Sequence, residues 1–172
     1  MLASPSSGTT DIKEVRKGTV GVASETGETS NLGSGSEIKI SYDSSKASDA
    51  KVEVGSGVTV TTIDAIGGEN NIKCGCTTMN VKGGTTTISG TGTITNLNID
   101  GGEARPASSG TITTCTIDSG TADFTISAES RTVTTLILNG GILKYDRDVM
   151  TMTNKIEPAS GKGRIQYSSN QI

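Results

Sequence analysis

Residues 92–103 read "GTITNLNIDGGE", and eighteen positions later residues 110–121 read "GTITTCTIDSGT". The same phrase recurs as "TVTTIDAIGG" (59–68), "GCTTMNVKGG" (75–84) and "TVTTLILNGG" (132–141), making five copies in all. Their closing glycines are Gly68, Gly84, Gly102, Gly120 and Gly141, at steps of 16, 18, 18 and 21. Self-similarity at a near-fixed period marks a repeat architecture, in which each unit is too small to bury a core and gains one by stacking on its neighbours.

Aligned on the phrase, the chain sorts into columns. Val60, Cys76, Ile94, Ile112 and Val133 form one. Ile63, Met79, Leu97, Cys115 and Leu136 form the next, and Ala65, Val81, Ile99, Ile117 and Leu138 a third. All are apolar, while the positions between them are mostly Thr, Asn, Asp or Lys. Spacing by two is strand alternation, with one face inward and one outward. A second strand follows the glycines, with Ile72, Ile88, Pro106, Phe124 and Tyr145 inward, and Asn70, Thr86, Ala104, Ala122 and Leu143 as a weaker inward set. The glycines mark corners, because Gly takes positive φ without steric cost.

The sequence therefore predicts an all-β chain, a parallel β-helix (β-solenoid) of about 5–6 coils with capped ends. Right-handed winding is expected, because crossovers between parallel strands are overwhelmingly right-handed. Residues 36–152 are assigned to the β-helix and 153–172 to a C-terminal cap strand. Residues 1–35 are read as an N-terminal extended arm.

Composition agrees with a thin, strand-rich body. Gly, Ser and Thr supply 71 of 172 residues, against three Tyr, one Phe and no Trp. The branched residues Thr, Val and Ile suit a pleated surface. A net charge of −3 without long runs of one sign gives no electrostatic grip for nucleic acid. No apolar stretch reaches the roughly 20 residues of a membrane span. "MLASPSSGTTD" has neither the basic nor the apolar region of a secretory signal, so export by the general route is not expected. Three cysteines, an odd number, argue against a disulfide framework and for synthesis in a reducing cytosol.

The chain has no histidine, which removes His-dependent triads and His-ligated zinc. Asp100 and Asp118, one coil apart, are the candidate carboxylate pair, since a rung spacing of about 4.8 Å approaches the separation used by retaining glycosidases. Turn chemistry is the simpler explanation for both, and glycan clefts also need aromatic platforms. Cys74 and Cys76 in "KCGC" share one side of a strand, but no further ligands complete a metal set, and Cys76 and Cys115 fall in apolar columns. "GGENN" and the Asp100, Asp118 and Asn139 column lack the regular cadence of calcium-binding rolls. No catalytic residue, metal ligand or cofactor site is assigned.

The five phrases, with "GGILKYDRDVMTMTN" following the last, resemble a group of phage β-helical repeat proteins with "GTITTLTVNGGTLDFS"-like coils, often encoded near the major capsid protein. The resemblance spans roughly residues 57–155. It implies a non-enzymatic virion protein of capsid-associated or decoration type, made in the host cytoplasm and placed on the capsid surface. Its implied partner is the major capsid protein, without nucleic acid or membrane, and a homotrimer would match symmetric capsid sites. Lys155 departs from the apolar pattern, and residues 1–50 match nothing in the group. The arm supplies the candidate docking residues Ile12, Val15, Arg16, Lys17, Val20 and Val22. The alternative is a tailspike or fibre that binds or cleaves host-surface glycans, and the shortage of aromatics counts against it. A surface adhesin, a third reading, should carry a secretion signal.

Overall fold

The phrase columns become ladders of hydrogen-bonded strands. The structure, a computed structural model, describes residues 9–12, 18–23, 28–32, 34–41, 50–157 and 161–168. Its strands are β1 (Thr9–Ile12), β2 (Gly18–Val22), β3 (Ser30–Asn31), β4 (Glu37–Ile40), β5 (Ala50–Val54), β6 (Val58–Ala65), β7 (Glu69–Ile72) and β8 (Cys76–Val81). They continue as β9 (Thr85–Ile88), β10 (Ile94–Pro106), β11 (Ile112–Asp123), β12 (Arg131–Leu138), β13 (Ile142–Tyr145), β14 (Met150–Ile156) and β15 (Arg164–Tyr167). Among the described residues there is no helix.

Every pairing is parallel. One face stacks β1, β4, β6, β8, β10, β11, β12 and β14, and another stacks β2, β5, β7, β9, β10, β11, β13 and β15. Strands β10 and β11 run through the corner and belong to both faces. The molecule is a β-solenoid, all-β as the repeat requires.

Register matches the columns residue by residue. Val60 pairs Cys76, Cys76 pairs Ile94, Ile94 pairs Ile112 and Ile112 pairs Val133. Leu97 lies between Met79 and Cys115, and Leu136 follows Cys115. Ile63, Met79, Leu97, Cys115 and Leu136 are all closed to solvent. Alternation breaks once per coil: in β6, Val60 and Ile63 are buried while Thr61 and Thr62 both lean outward. Two successive outward residues bend the strand and give the coil an extra side. Each large aliphatic side chain so enclosed contributes about 1.5–3 kcal/mol.

The other corner depends on glycine. Gly68, Gly84, Gly102, Gly120 and Gly141 all have positive φ, from +61° to +77°. A Cβ on Gly84 would also lie 2.1 Å from the carbonyl oxygen of Gly68 in the coil beside it. Conformation and stacking space therefore demand the same residue. Between these corners the inner column admits two polar side chains. Asn70 is buried; its Nδ2 donates to the Gly67 carbonyl (3.0 Å) and to Thr86 Oγ1 (3.3 Å) across the rung, while its Oδ1 has no partner among the described residues.

At the N-terminal end, the described strands within residues 1–35, the stretch expected as an arm, are hydrogen-bonded to the stack. Ile12 pairs Ile40, Val20 pairs Val52, Val22 pairs Val54 and Ser30 pairs Val58. This stretch lacks the phrase, so spelling alone did not join it to the repeat. At the other end β14 crosses the boundary expected at residue 152 and continues the first face. Met152 pairs Val133, and Lys155 pairs Leu136. On the second face Ile165 pairs Leu143, and Tyr167 pairs Tyr145.

Candidate functional site

Outward positions of the second face collect the best-connected charges. Register places Glu103 beside Thr121, Asp123 beside Lys144, and Arg105 beside Thr87. Arg105 Nη2 lies 3.0 Å from Glu103 Oε2, and Lys144 Nζ lies 2.8 Å from Asp123 Oδ2 and 3.7 Å from Glu103 Oε1. Asp123 also accepts hydrogen bonds at Oδ1 from the backbone N–H (3.0 Å) and hydroxyl (2.7 Å) of Thr125.

These contacts fix protonation. Burial pushes the Asp123 carboxyl up, but the Lys144 hydrogen bond and those from Thr125 outweigh it and hold the group below its ordinary value. The Asp123 hydrogen bond in turn raises Lys144, and the Glu103 hydrogen bond raises Arg105. Kept ionised, Asp123 has no proton to donate, and kept protonated, Lys144 has no lone pair to accept one near neutral pH. Two anions face two cations, so the cluster ties neighbouring coils together. Lys51 with Glu69 (3.0 Å) and Lys73 with Glu53 continue the same face toward the N-terminal end.

The first face carries an amide ladder. Asn98 Nδ2 donates to Asn80 Oδ1 (2.9 Å), Asn80 Nδ2 donates to Asp64 Oδ1 (2.5 Å), and Lys82 Nζ reaches Asp64 Oδ2 at 3.1 Å.

The carboxylate pair suggested by the sequence is not a register pair. A shift after Ile99 sets Asp100 opposite Ser119, whose hydroxyl donates to the Asp100 carbonyl. Asp118 instead accepts from Asn139 Nδ2 at 2.7 Å. Both residues are exposed at the corner.

The three thiols are free and buried. Burial pushes Cys74 up to about 11, and Cys76 and Cys115 up to about 12, so none supplies thiolate at neutral pH. They pack as small apolar groups. In "GGENN", Asn70 turns into the core and Glu69 pairs Lys51. Among the described residues no group of three metal-ligating side chains converges.

No family model, characterised protein or solved structure matches the chain.

Of the candidate docking residues, Val15, Arg16 and Lys17 lie outside the described residues. Ile12 is placed by its backbone pairing in β1, Val22 is in the core, and Val20 is exposed. The structure therefore does not bring the six together as one described surface. Phe124 is buried, while Tyr145 and Tyr167 meet edge to face at 5.9 Å, with the Arg147 guanidinium 5.2 Å over the Tyr167 ring. Tyr42 is outside the described residues.

Sequence reading passed over Arg131 and the loop before it. Arg131 is 2% exposed, although Arg is among the residues least often buried without a partner. The signal available was the 21-residue step between Gly120 and Gly141, longer than the 18 before it.

Proposed function

We propose that this chain is a non-enzymatic structural protein of a bacteriophage virion, a capsid-associated or decoration protein that docks on the major capsid protein and displays a stiff β-solenoid. The observation that carries this reading is the use made of ionisable side chains. Lys144 ties its coil to Asp123 and Glu103 of the coils before it, Arg105 pairs with Glu103 along the same strand, and the thiols are sealed inside. That pattern favours a body built for rigidity. The spelling of the repeat, similar to phage coils encoded near capsid genes, supplies the virion context. Decoration of symmetric capsid sites would be served by a homotrimer.

The test is co-sedimentation of the purified protein with empty capsids assembled from the capsid protein of the same genome. Saturable binding at a fixed ratio to capsid subunits is expected. Absence of binding at saturating concentrations would overturn the reading and make host glycans the next ligand to assay.

A further inference from the structure

One side of the solenoid is spelled differently from the rest. In β6 the outward positions flanking the buried Val60 are Thr59 and Thr61, and the strand bends where Thr62 also faces outward. The ladder register carries both positions from coil to coil. The position before the buried residue holds Thr59, Gly75, Thr93, Thr111, Thr132 and Thr151. The position after it holds Thr61, Thr77, Thr95, Thr113, Thr134 and Thr153. Eleven of the twelve are threonine and the other is glycine. All are exposed or half-buried, and none is charged.

Strand preference alone does not account for this facet. Threonine suits a pleated surface, but so do Val, Ile and Tyr, and other outward columns of the same stack are mixed. Across the bend, the column that starts at Asp64 continues with Asn80, Asn98, Thr116, Ile137 and Ile156. On the second face Glu53, Asn71, Thr87 and Arg105 share a column. Many of those side chains hold one another, as in the series from Asn98 through Asn80 to Asp64. The threonines do not. Among the described residues only Thr61 of the eleven has a side-chain hydrogen bond, accepting from the Gly35 N–H at 2.9 Å.

Geometry makes the facet a lattice. Parallel rungs repeat at about 4.8 Å along the stack, and alternate residues of a strand stand about 6.7 Å apart. Six rungs give a strip about 24 Å long. Each threonine presents one hydroxyl and one methyl, held in few rotamers by branching at Cβ. A ligand that meets every point must itself repeat in two dimensions, and must need no charge, aromatic face or deep pocket. Nucleic acid would find no cation here, and a protein partner none of the bulky anchors of a hot spot. Ice meets the requirement. Its prism face sets water oxygens on a rectangular grid with similar short and long periods, and each oxygen can donate to or accept from a hydroxyl.

We propose that the threonine facet binds the surface of ice crystals, with Thr95 and Thr113 at its centre and the hydroxyls standing in for lattice waters. Each contact is weak, but the stack presents all of them at once on a rigid frame, so little freedom is lost on binding. The inference does not rest on the decoration reading, since it uses these two outward columns alone.

The experiment follows the full chain in a slowly growing ice hemisphere and in a nanolitre osmometer, where an ice binder opens a gap between melting and freezing points. Wild type should enter the ice and open that gap. Thr113→Lys puts an ammonium in mid-lattice and should lose most of both signals, with an unfolding temperature within about 2 °C of wild type because the side chain is exposed. Thr116→Lys, across the bend, should keep both. If Thr113→Lys fails to fold, Thr113→Ser, which removes one methyl from the lattice, takes its place with a smaller loss in the same direction. Wild type excluded from ice with no gap would overturn the inference, as would a folded Thr113 variant as active as wild type or a Thr116 variant equally impaired. Retention on crystalline cellulose together with exclusion from ice would also overturn it, reassigning the facet to an ordered polysaccharide. None of these outcomes bears on capsid binding.

Discussion

Leu136 and Lys155 occupy one column on neighbouring rungs, paired directly across the ladder. Leu136 is sealed, with Cys115 beneath it, whereas Lys155 is exposed and its ammonium lies 2.7 Å from Glu157. The hydrogen-bonding frame is the same for both. What differs is the number of neighbours: a middle rung is covered above and below, a final rung on one side only. An apolar side chain gains most burial when both sides are covered, so the inward rule weakens on the last described rung, where Met150 is still buried and Met152 still packs on the core but Lys155 is open. The last coil keeps the ladder and changes the side chains, which leaves its end wet and poorly suited to accept another strand.

The comparison breaks most forcefully at Leu136. Leu136→Lys would put an ammonium into a closed column with no partner, and a loss of about 4 kcal/mol or more is expected in urea unfolding. Corner glycines extend the contrast. Gly84→Ala meets both a positive φ and the Gly68 carbonyl 2.1 Å away, whereas a Cβ on Gly161, at φ +58° in the last coil, has nothing within 4 Å. Gly84→Ala should cost about 3 kcal/mol, and Gly161→Ala about 1 kcal/mol from backbone conformation alone.

Arg131→Met leaves the Pro106, Ser127 and Glu129 carbonyls without their donor, for about 2–3 kcal/mol. The Asp123–Lys144 tie is smaller because Lys144 is partly exposed, about 1 kcal/mol. Its pH dependence has a definite sign. Asp123 is depressed in the folded state, so its contribution is present above the ordinary aspartate value and is lost as pH falls through the lower folded value. Lys144 is raised, so its contribution is complete below the ordinary lysine value and is lost as pH rises through the folded value. Asp123→Asn should remove that part of the acid loss, seen as a shallower fall in melting temperature at low pH. Smallest of all is Lys155→Leu, within about 1 kcal/mol of wild type. Its clearer effect should be concentration-dependent self-association in sedimentation velocity, through a rung no longer capped by charge.

The middle of the solenoid was legible because a period-two pattern repeated five times leaves one register that keeps fifteen apolar residues inside. Even the weaker column through Asn70, Thr86, Ala104, Ala122 and Leu143 followed. Less was legible where structure departs from spelling. Asp100 and Asp118 occupy the same letter of their phrases, yet a backbone shift at the corner gives Asp100 to Ser119. Strands β1 and β2 share no phrase with the rest, and only their pairing with Ile40, Val52 and Val54 places them. Arg131, inside a polar string, reads as a solvated residue. Its burial arises from carbonyls of a loop and of a neighbouring coil, which no local pattern encodes.

Thiol labelling of the native protein tests the inward columns most directly, because Cys115 stands between Leu97 and Leu136 at the centre of the stack, and Cys76 stands between Val60 and Ile94. In native buffer at neutral pH, all three thiols should stay unreacted with a water-soluble disulfide reagent, then react in full on unfolding in guanidinium. Rapid labelling of Cys115 in the folded protein would contradict the stacked core.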